Sequence, residues 1–271
     1  IFFYYKYTYI FNFMKKILLF IPCFNCQKQI IRVLHSLDDK IIDSFEQILV
    51  IDNRSNDNTQ KVIREFLENH KKKKSFKLIV NNENYSFGGS HKVAINYAKE
   101  NKFSHILVLH GDDQANINDI MSKNLDKNLD YDCFMGSRFL RGSRAETYSN
   151  LKKFGNIIFN FAFSLFSKKK IYDLGSGLYI IKTSVFEDGK YIQFPDNLTF
   201  NYYLTLYMSK NNFNLKYFPI SWREDDQVSN VKIIKQTLEL LKILYLFIFN
   251  HKKLFDRVNK RKLFPYEEIE L

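Results

Sequence analysis

The chain is short of the features that mark several common classes. Its 3 cysteines cannot build a disulfide framework. Cys23 and Cys26 stand at C-x-x-C spacing, but without the second Cys or Cys/His pair that a structural zinc site needs. No apolar run approaches the ~20 residues that cross a bilayer. The run Ile17–Ile21 is stopped by Pro22, and Ile243–Phe249 is preceded by Glu239 and Lys242. No G-x-G-x-x-G follows the first strand, where a dinucleotide fingerprint must stand. No repeat or low-complexity linker divides the chain. Acidic residues are outnumbered, 29 against 41 Lys and Arg, and the net charge of +12 favours anionic partners such as phosphates or acidic lipid head groups. The excess is scattered and the predicted strand ends are acidic, so a nucleic-acid-binding protein is disfavoured and no nucleic-acid partner is expected.

What is present is a regular alternation. Strands are predicted at Ile17–Ile21, Gln47–Ile51, Phe76–Val80, His105–Leu109 and Tyr131–Met135. Between them, helical spacing runs from Gln27 to Leu37, from Thr59 to about Asn69, from Gly88 to Glu100 and over Asn118–Leu129. This pattern predicts an α/β fold with a mostly parallel central sheet and helices on both faces. Beyond Arg144 the order changes. A helix from Ser149 to Ser167 carries a narrow polar stripe of Lys152, Asn156, Asn160 and Ser164 in an otherwise apolar surface. Such a helix packs on two sides or lies in a membrane interface. Further elements follow at Leu178–Ile181, Leu198–Ser209, Leu215–Ile220 and Val231–Asn250, and the tail after His251 is charged and read as peripheral. Residues 1–14 are read as an N-terminal extension, 15–230 as one domain, and 231–271 as an amphipathic helix with its tail.

In a parallel sheet the carboxyl ends of the strands lie side by side and bind ligands. Pro22, Phe24 and Asn25 follow the first strand; Asp52, Asn53 and Ser55 follow the second; His110, Gly111, Asp112, Asp113 and Gln114 follow the fourth. Asp52 can accept from the N–H edge of a base, and Asn53 and Ser55 can serve a base or ribose. Asp112, Asp113 and Gln114 form an all-oxygen set for a hard cation, Mg2+ or Mn2+, that would bridge a diphosphate. Lys92, near the start of the third long helix, offers a point charge to the phosphates.

These segments resemble glycosyltransferase family 2, with its GT-A fold. The resemblance is carried by FIPCFNC, VIDNRSNDNT, NENYSFGGSHKVAINYA, HGDDQ, MGSRF, DLGSGLYIIKTSVF and WREDDQVSNVK, in order over about residues 15–235. Within the family the chain is most similar to polyprenyl-phosphate glycosyltransferases such as dolichyl-phosphate mannose synthases. The resemblance implies sugar transfer from a nucleotide-sugar donor to a polyprenyl phosphate, with inversion, on the cytoplasmic face of a membrane. It places Arg138, Arg223 and Ser229 or Lys232 at phosphates of donor or acceptor, and the Ser149–Ser167 helix on the membrane surface. Alternatives are a hydroxyl acceptor on a glycan or glycolipid, or a catalytically degenerate scaffold. A hydroxyl needs a carboxylate to take its proton, and Asp196 is the candidate, with Glu224 and Asp225 behind it. His110 departs from the family's D-x-D-x-Q motif, and the acidic residue expected near Asn201 is absent.

Overall fold

The computed structural model describes residues 16–145, 147–226, 233–256 and 261–271. Eight strands form one sheet: β1 Ile17–Cys23, β2 Gln47–Asp52, β3 Phe76–Asn81, β4 His105–Leu109, β5 Cys133–Ser137, β6 Leu178–Lys182, β7 Leu215–Pro219 and β8 Tyr266–Ile269. Their order is β7-β5-β6-β4-β1-β2-β3-β8. Pairs among β1 to β4 are parallel, as are β5 and β7, whereas β6 runs antiparallel between β4 and β5 and β8 runs antiparallel to β3.

The central strands are apolar because both of their faces are covered. On one face Leu19, Ile21, Ile48 and Val50 meet Ile30, Val33 and Leu34 of helix Gln27–His35, and Ile63 and Leu67 of helix Thr59–Glu68. On the other, Leu18, Phe20, Leu49 and Ile51 belong to a core shared with helices Ser86–Glu100, Phe200–Lys210 and Ile233–Phe249. Alternate residues of each strand serve alternate layers.

Two expectations are revised. The helix expected over Asn118–Leu129 is two short ones, Asn118–Met121 and Leu125–Asn128, parted by Asn124 at φ 47°. Asn tolerates that left-handed conformation. The tail is not peripheral: Tyr266–Ile269 closes the sheet edge and Phe264 is buried. A four-residue strand carries too little periodicity to be read against its charged neighbours. The antiparallel β6 brings its amino end, with Ser176 and Gly177, to the same rim as the carboxyl ends of β4 and β5, since Leu178 faces Leu109.

Candidate active site

The site is assembled where β1 and β2 end together, Cys23 opposite Asp52. The loops that follow are stitched to each other. The Asn25 N–H donates to Ser55 Oγ at 3.0 Å, and Asn25 Oδ1 accepts from the Asn56 N–H at 2.8 Å. Gln27 Oε1 accepts from the Asn58 N–H, and the Asp57 carboxylate accepts from the Thr59 and Gln27 N–H groups. Asp52 is buried, and Ser55 donates to its two oxygens through Oγ at 2.5 Å and N–H at 3.2 Å. Burial pushes the Asp52 carboxyl up, against these two bonds. Phe24 projects from this rim, 40% exposed.

Asn53 departs from its expected role as a base or ribose contact. Its Oδ1 accepts from Asn81 Nδ2 and the Tyr85 N–H, and its Nδ2 donates to Asn84 Oδ1. It fixes the loop that opens helix Ser86–Glu100.

The loop after β4 is pressed against β1. The Gly111 N–H donates to the Pro22 carbonyl at 3.0 Å, and a Cβ on Gly111 would come within 2.6 Å of Cys23 Sγ. His110 packs its ring against Phe87, and a Cβ on Gly177 would stand 2.9 Å from its Nδ1. Burial and then the nearby Arg138 charge lower its pKa to about 4, so it is neutral at pH 7. Its Nε2 is buried with no hydrogen-bond partner.

Asp112 and Gln114 line a cleft of about 420 Å³ together with His110 and Arg138. Asp113 does not. Its backbone takes φ 60°, and its carboxylate is gripped by Arg32 Nε at 2.5 Å and by Arg223. Asp113 is therefore turned from the metal position expected for it, and Arg223 is turned from the phosphate position expected for it.

Arg138 is nearly buried between motifs. Its Nε and Nη2 donate to the two carboxylate oxygens of Asp173 at 2.9 and 2.8 Å, and its guanidinium lies against Phe139, Tyr148 and Trp222. This two-bond grip orients the guanidinium at the cleft wall. Across the cleft, Lys152 pairs with Glu224 at 2.9 Å. Its outer wall is apolar, with Leu151, Phe159, Leu198 and Leu240.

Lys92 is the largest correction. It is fully buried, and its ammonium donates to the carbonyls of Ile192 and Phe194 and to Asp196 Oδ1, at 3.0, 2.5 and 2.6 Å. Burial lowers its pKa, opposed by Asp196. It holds the Ile192–Asp196 segment to helix Ser86–Glu100 and does not reach the strand ends. Asp196, expected as a base, is the other half of that pair. The turn of the Phe200–Lys210 helix is instead made by Asn197, whose Oδ1 accepts from the Thr199 N–H and hydroxyl. Ser229 and Lys232 lie outside the described residues. Sequence reasoning assigned no role to Asp173, Lys152, Tyr148 or Trp222. Asp173 heads the DLGSG motif, which was the signal for it, and the polar stripe was the signal for Lys152.

With this geometry in place, comparison with known proteins is informative. The model of the glycosyl transferase family 2 domain matches residues 19–189. An uncharacterized protein of Methanocaldococcus jannaschii is 28% identical over 235 residues, 84% of this chain and 97% of the relative. Glucosyl-3-phosphoglycerate synthase of Mycobacterium tuberculosis, solved with Mn2+, UDP-glucose and phosphoglyceric acid, superposes at TM-score 0.63 and 9% identity over 91% of this chain and 82% of that one. S. aureus TarS 1–349 with UDP-GlcNAc gives 0.58 and 16% over 87% and 67%. A mannosyltransferase of Pyrobaculum calidifontis with GDP-Man and Mn2+ gives 0.59 and 13% over 85% and 63%. At these identities the solved structures share the fold.

Proposed function

The chain belongs to glycosyl transferase family 2, and on that premise we propose that it moves a sugar from a nucleotide-sugar donor to a polyprenyl phosphate at a membrane surface. The observation that carries the acceptor class is the chemistry of the cleft. Among the described residues that line it, the carboxylates are Asp112 and Glu224, and Glu224 is ion-paired with Lys152. Asp196 is ion-paired with Lys92. An acceptor phosphate arrives ionised and needs no general base, whereas a hydroxyl does. Arg138 and Lys152, each held by a carboxylate, are the cations that line the cleft among the described residues, and an acceptor phosphate would take up their free donors.

The apolar surface beside the cleft supports a lipid acceptor. Helix Asn150–Ser167 exposes Leu151, Phe154, Ile158, Phe161 and Leu165, and helix Ile233–Phe249 exposes Ile234, Leu238, Tyr245 and Phe249. Each such side chain leaves roughly 1.5–3 kcal/mol of burial unrealised in water. Among the described residues no helix is long and apolar enough to cross a membrane. The two faces therefore fit a bilayer surface, with the apolar chain of the acceptor entering past Leu151 and Leu240.

On the donor side, Asp52 and Phe24 would receive the base and Asn25 and Ser55 the ribose. A divalent cation, Mg2+ or Mn2+, fits the donor set of Asp112 and Gln114, beside the unpartnered His110 Nε2. Among the described residues no group of three His, Cys, Asp or Glu stands together. A Mg2+-like ion takes one or two carboxylates and completes its shell with substrate phosphates. When bound, the ion supplies Lewis-acid stabilisation of the departing diphosphate. Arg138, oriented by Asp173, adds a fixed charge where the acceptor phosphate attacks.

The test is a panel of nucleotide-sugars with Mn2+ or Mg2+ and a polyprenyl phosphate in vesicles, for wild type and Asp112→Asn. Transfer from one donor that needs metal and is lost in the variant supports the proposal. A second reading, a binding protein without turnover, is favoured by His110 in place of an acidic residue. Metal-dependent nucleotide binding with no transfer to any acceptor would establish it.

A further inference from the structure

The carboxylate of Asp113 is clamped in a way the transferase chemistry does not use. Arg32 of helix Gln27–His35 donates to it from Nε, and Arg223 approaches the same oxygen while its own Nε donates to the Asp113 carbonyl at 2.8 Å. Arg32 also holds Asp226 at 2.8 Å, and Gln29 Nε2 donates to the Asp226 carbonyl. The Arg223 N–H donates to the Gln114 carbonyl at 3.0 Å, and Ala115 and Trp222 form an antiparallel bridge. The Ser221–Asp226 segment is thus zipped to the loop that carries Asp112 and Gln114. That segment presents Trp222 and Glu224 to the cleft.

We infer that Asp113 is a positioning residue that locks the donor-side loop to the acceptor-side segment, and is not a metal ligand. The inference rests on the transferase reading for its consequence, and on the geometry for the lock itself. An isolated surface ion pair contributes little. This one differs because one carboxylate, 16% exposed, serves two guanidinium groups from two elements, and its residue is held at φ 60°. Asp takes that conformation readily, and the two arginines hold the side chain in one place. Turning the carboxylate toward the arginines leaves Asp112 and Gln114 on the cleft side of the loop. Loss of the grip frees Trp222 and Glu224 to move, which spoils the acceptor wall first.

The chain has a single tryptophan, Trp222, buried against Arg138, so its emission reports on the segment directly. The experiment compares the full chain with Asp113→Asn, Arg223→Gln, the double variant and Asp112→Asn. Emission and acrylamide quenching are read first, then Mn2+ binding with UDP or GDP by the spin resonance of free Mn2+. Steady-state transfer follows with the donor that the nucleotide-sugar panel selects. Asp113→Asn and Arg223→Gln should each shift Trp222 emission to the red and raise quenching, the double variant no more than either single one. Mn2+ binding should persist, and the acceptor KM should rise by roughly tenfold or more, the scale of a small misplacement of reacting groups. Asp112→Asn should lose Mn2+ and leave the emission unmoved. If Asp113→Asn proves too unstable, Arg32→Gln, on an exposed helix face, must give the same shift at smaller size. Loss of Mn2+ in Asp113→Asn with emission unchanged would make Asp113 a ligand and overturn the inference. An unshifted emission with unchanged KM would reduce the cluster to a surface pair. Failure of wild type to bind Mn2+ with either UDP or GDP would strike the transferase reading alone, since the emission arm does not depend on it.

Discussion

Helices Thr59–Glu68 and Asn150–Ser167 each have one polar and one apolar face, and they sit in opposite senses. The first turns Ile63 and Leu67 to the sheet and leaves Lys61, Arg64, Glu65 and Glu68 in solvent as i,i+4 pairs. The second turns its polar stripe inward. Asn160 donates to the Tyr172 carbonyl and accepts from the Leu174 N–H, Ser164 accepts from the Ile171 N–H, and Lys152 pairs with Glu224. Those bonds hold the segment on which Asp173 grips Arg138. Phe163 is the one large apolar side chain of this helix that is fully buried, while Phe154 and Phe161 are 65% and 69% exposed. A face that serves the core is apolar. A face that shapes a polar site is not, and here the leftover apolar side stands exposed.

The contrast can be broken at several points. Asp173→Asn should have the largest effect, because it leaves the Arg138 charge buried without its partner; about 3–5 kcal/mol should be lost in denaturant unfolding, and transfer with it. Next, Phe163→Ala should cost about 3–5 kcal/mol, whereas Phe161→Ala on the same helix should stay within about 0.5 kcal/mol. Equal costs would mean that the outward face is covered in the protein itself. An effect of comparable size, confined to acid pH, comes from His91, inward on helix Ser86–Glu100. Its burial and then the neighbouring His110 lower its pKa to about 3. The folded state binds this proton later than the unfolded one, so its contribution is full above the unfolded value near 6.5. It is lost as pH falls from there toward 3, at about 1.4 kcal/mol per pH unit. His91→Phe, among the rings of Phe20, Phe87 and Phe200, should flatten that part of the stability profile. Smallest in stability is Phe154→Asp with Phe161→Asp, expected within about 0.5 kcal/mol in melting. The same pair should abolish sedimentation with anionic vesicles; retained binding would remove the membrane surface from the proposal.

The parallel half of the fold was legible because each of its strands is a short apolar run ending in a polar turn, and the links between them are helical. Parallel strands joined this way must end on one side, so Asp52 and Asp112 could be placed together before any coordinates. Asn53, Asp113 and Lys92 are engaged within the protein for a common reason. Each is polar and lies beside a strand end or a helix start, where a ligand contact is the natural expectation, yet each answers a need of the protein. Asn53 satisfies the turn before a helix, Asp113 answers two arginines, and Lys92 answers two carbonyls and Asp196. Those partners come from segments up to 110 residues away.

The order of motifs and the meeting of strand ends are properties of the chain, since periodicity and crossover geometry leave one arrangement open. The inward turn of the Asn150–Ser167 stripe, the burial of Lys92 and the rotation of Asp113 belong to the tertiary structure. Periodicity records which side chains share a face. What stands opposite that face is decided only when distant segments close on it, and it is the opposite side that determines whether a charge meets a ligand, a carbonyl or another charge.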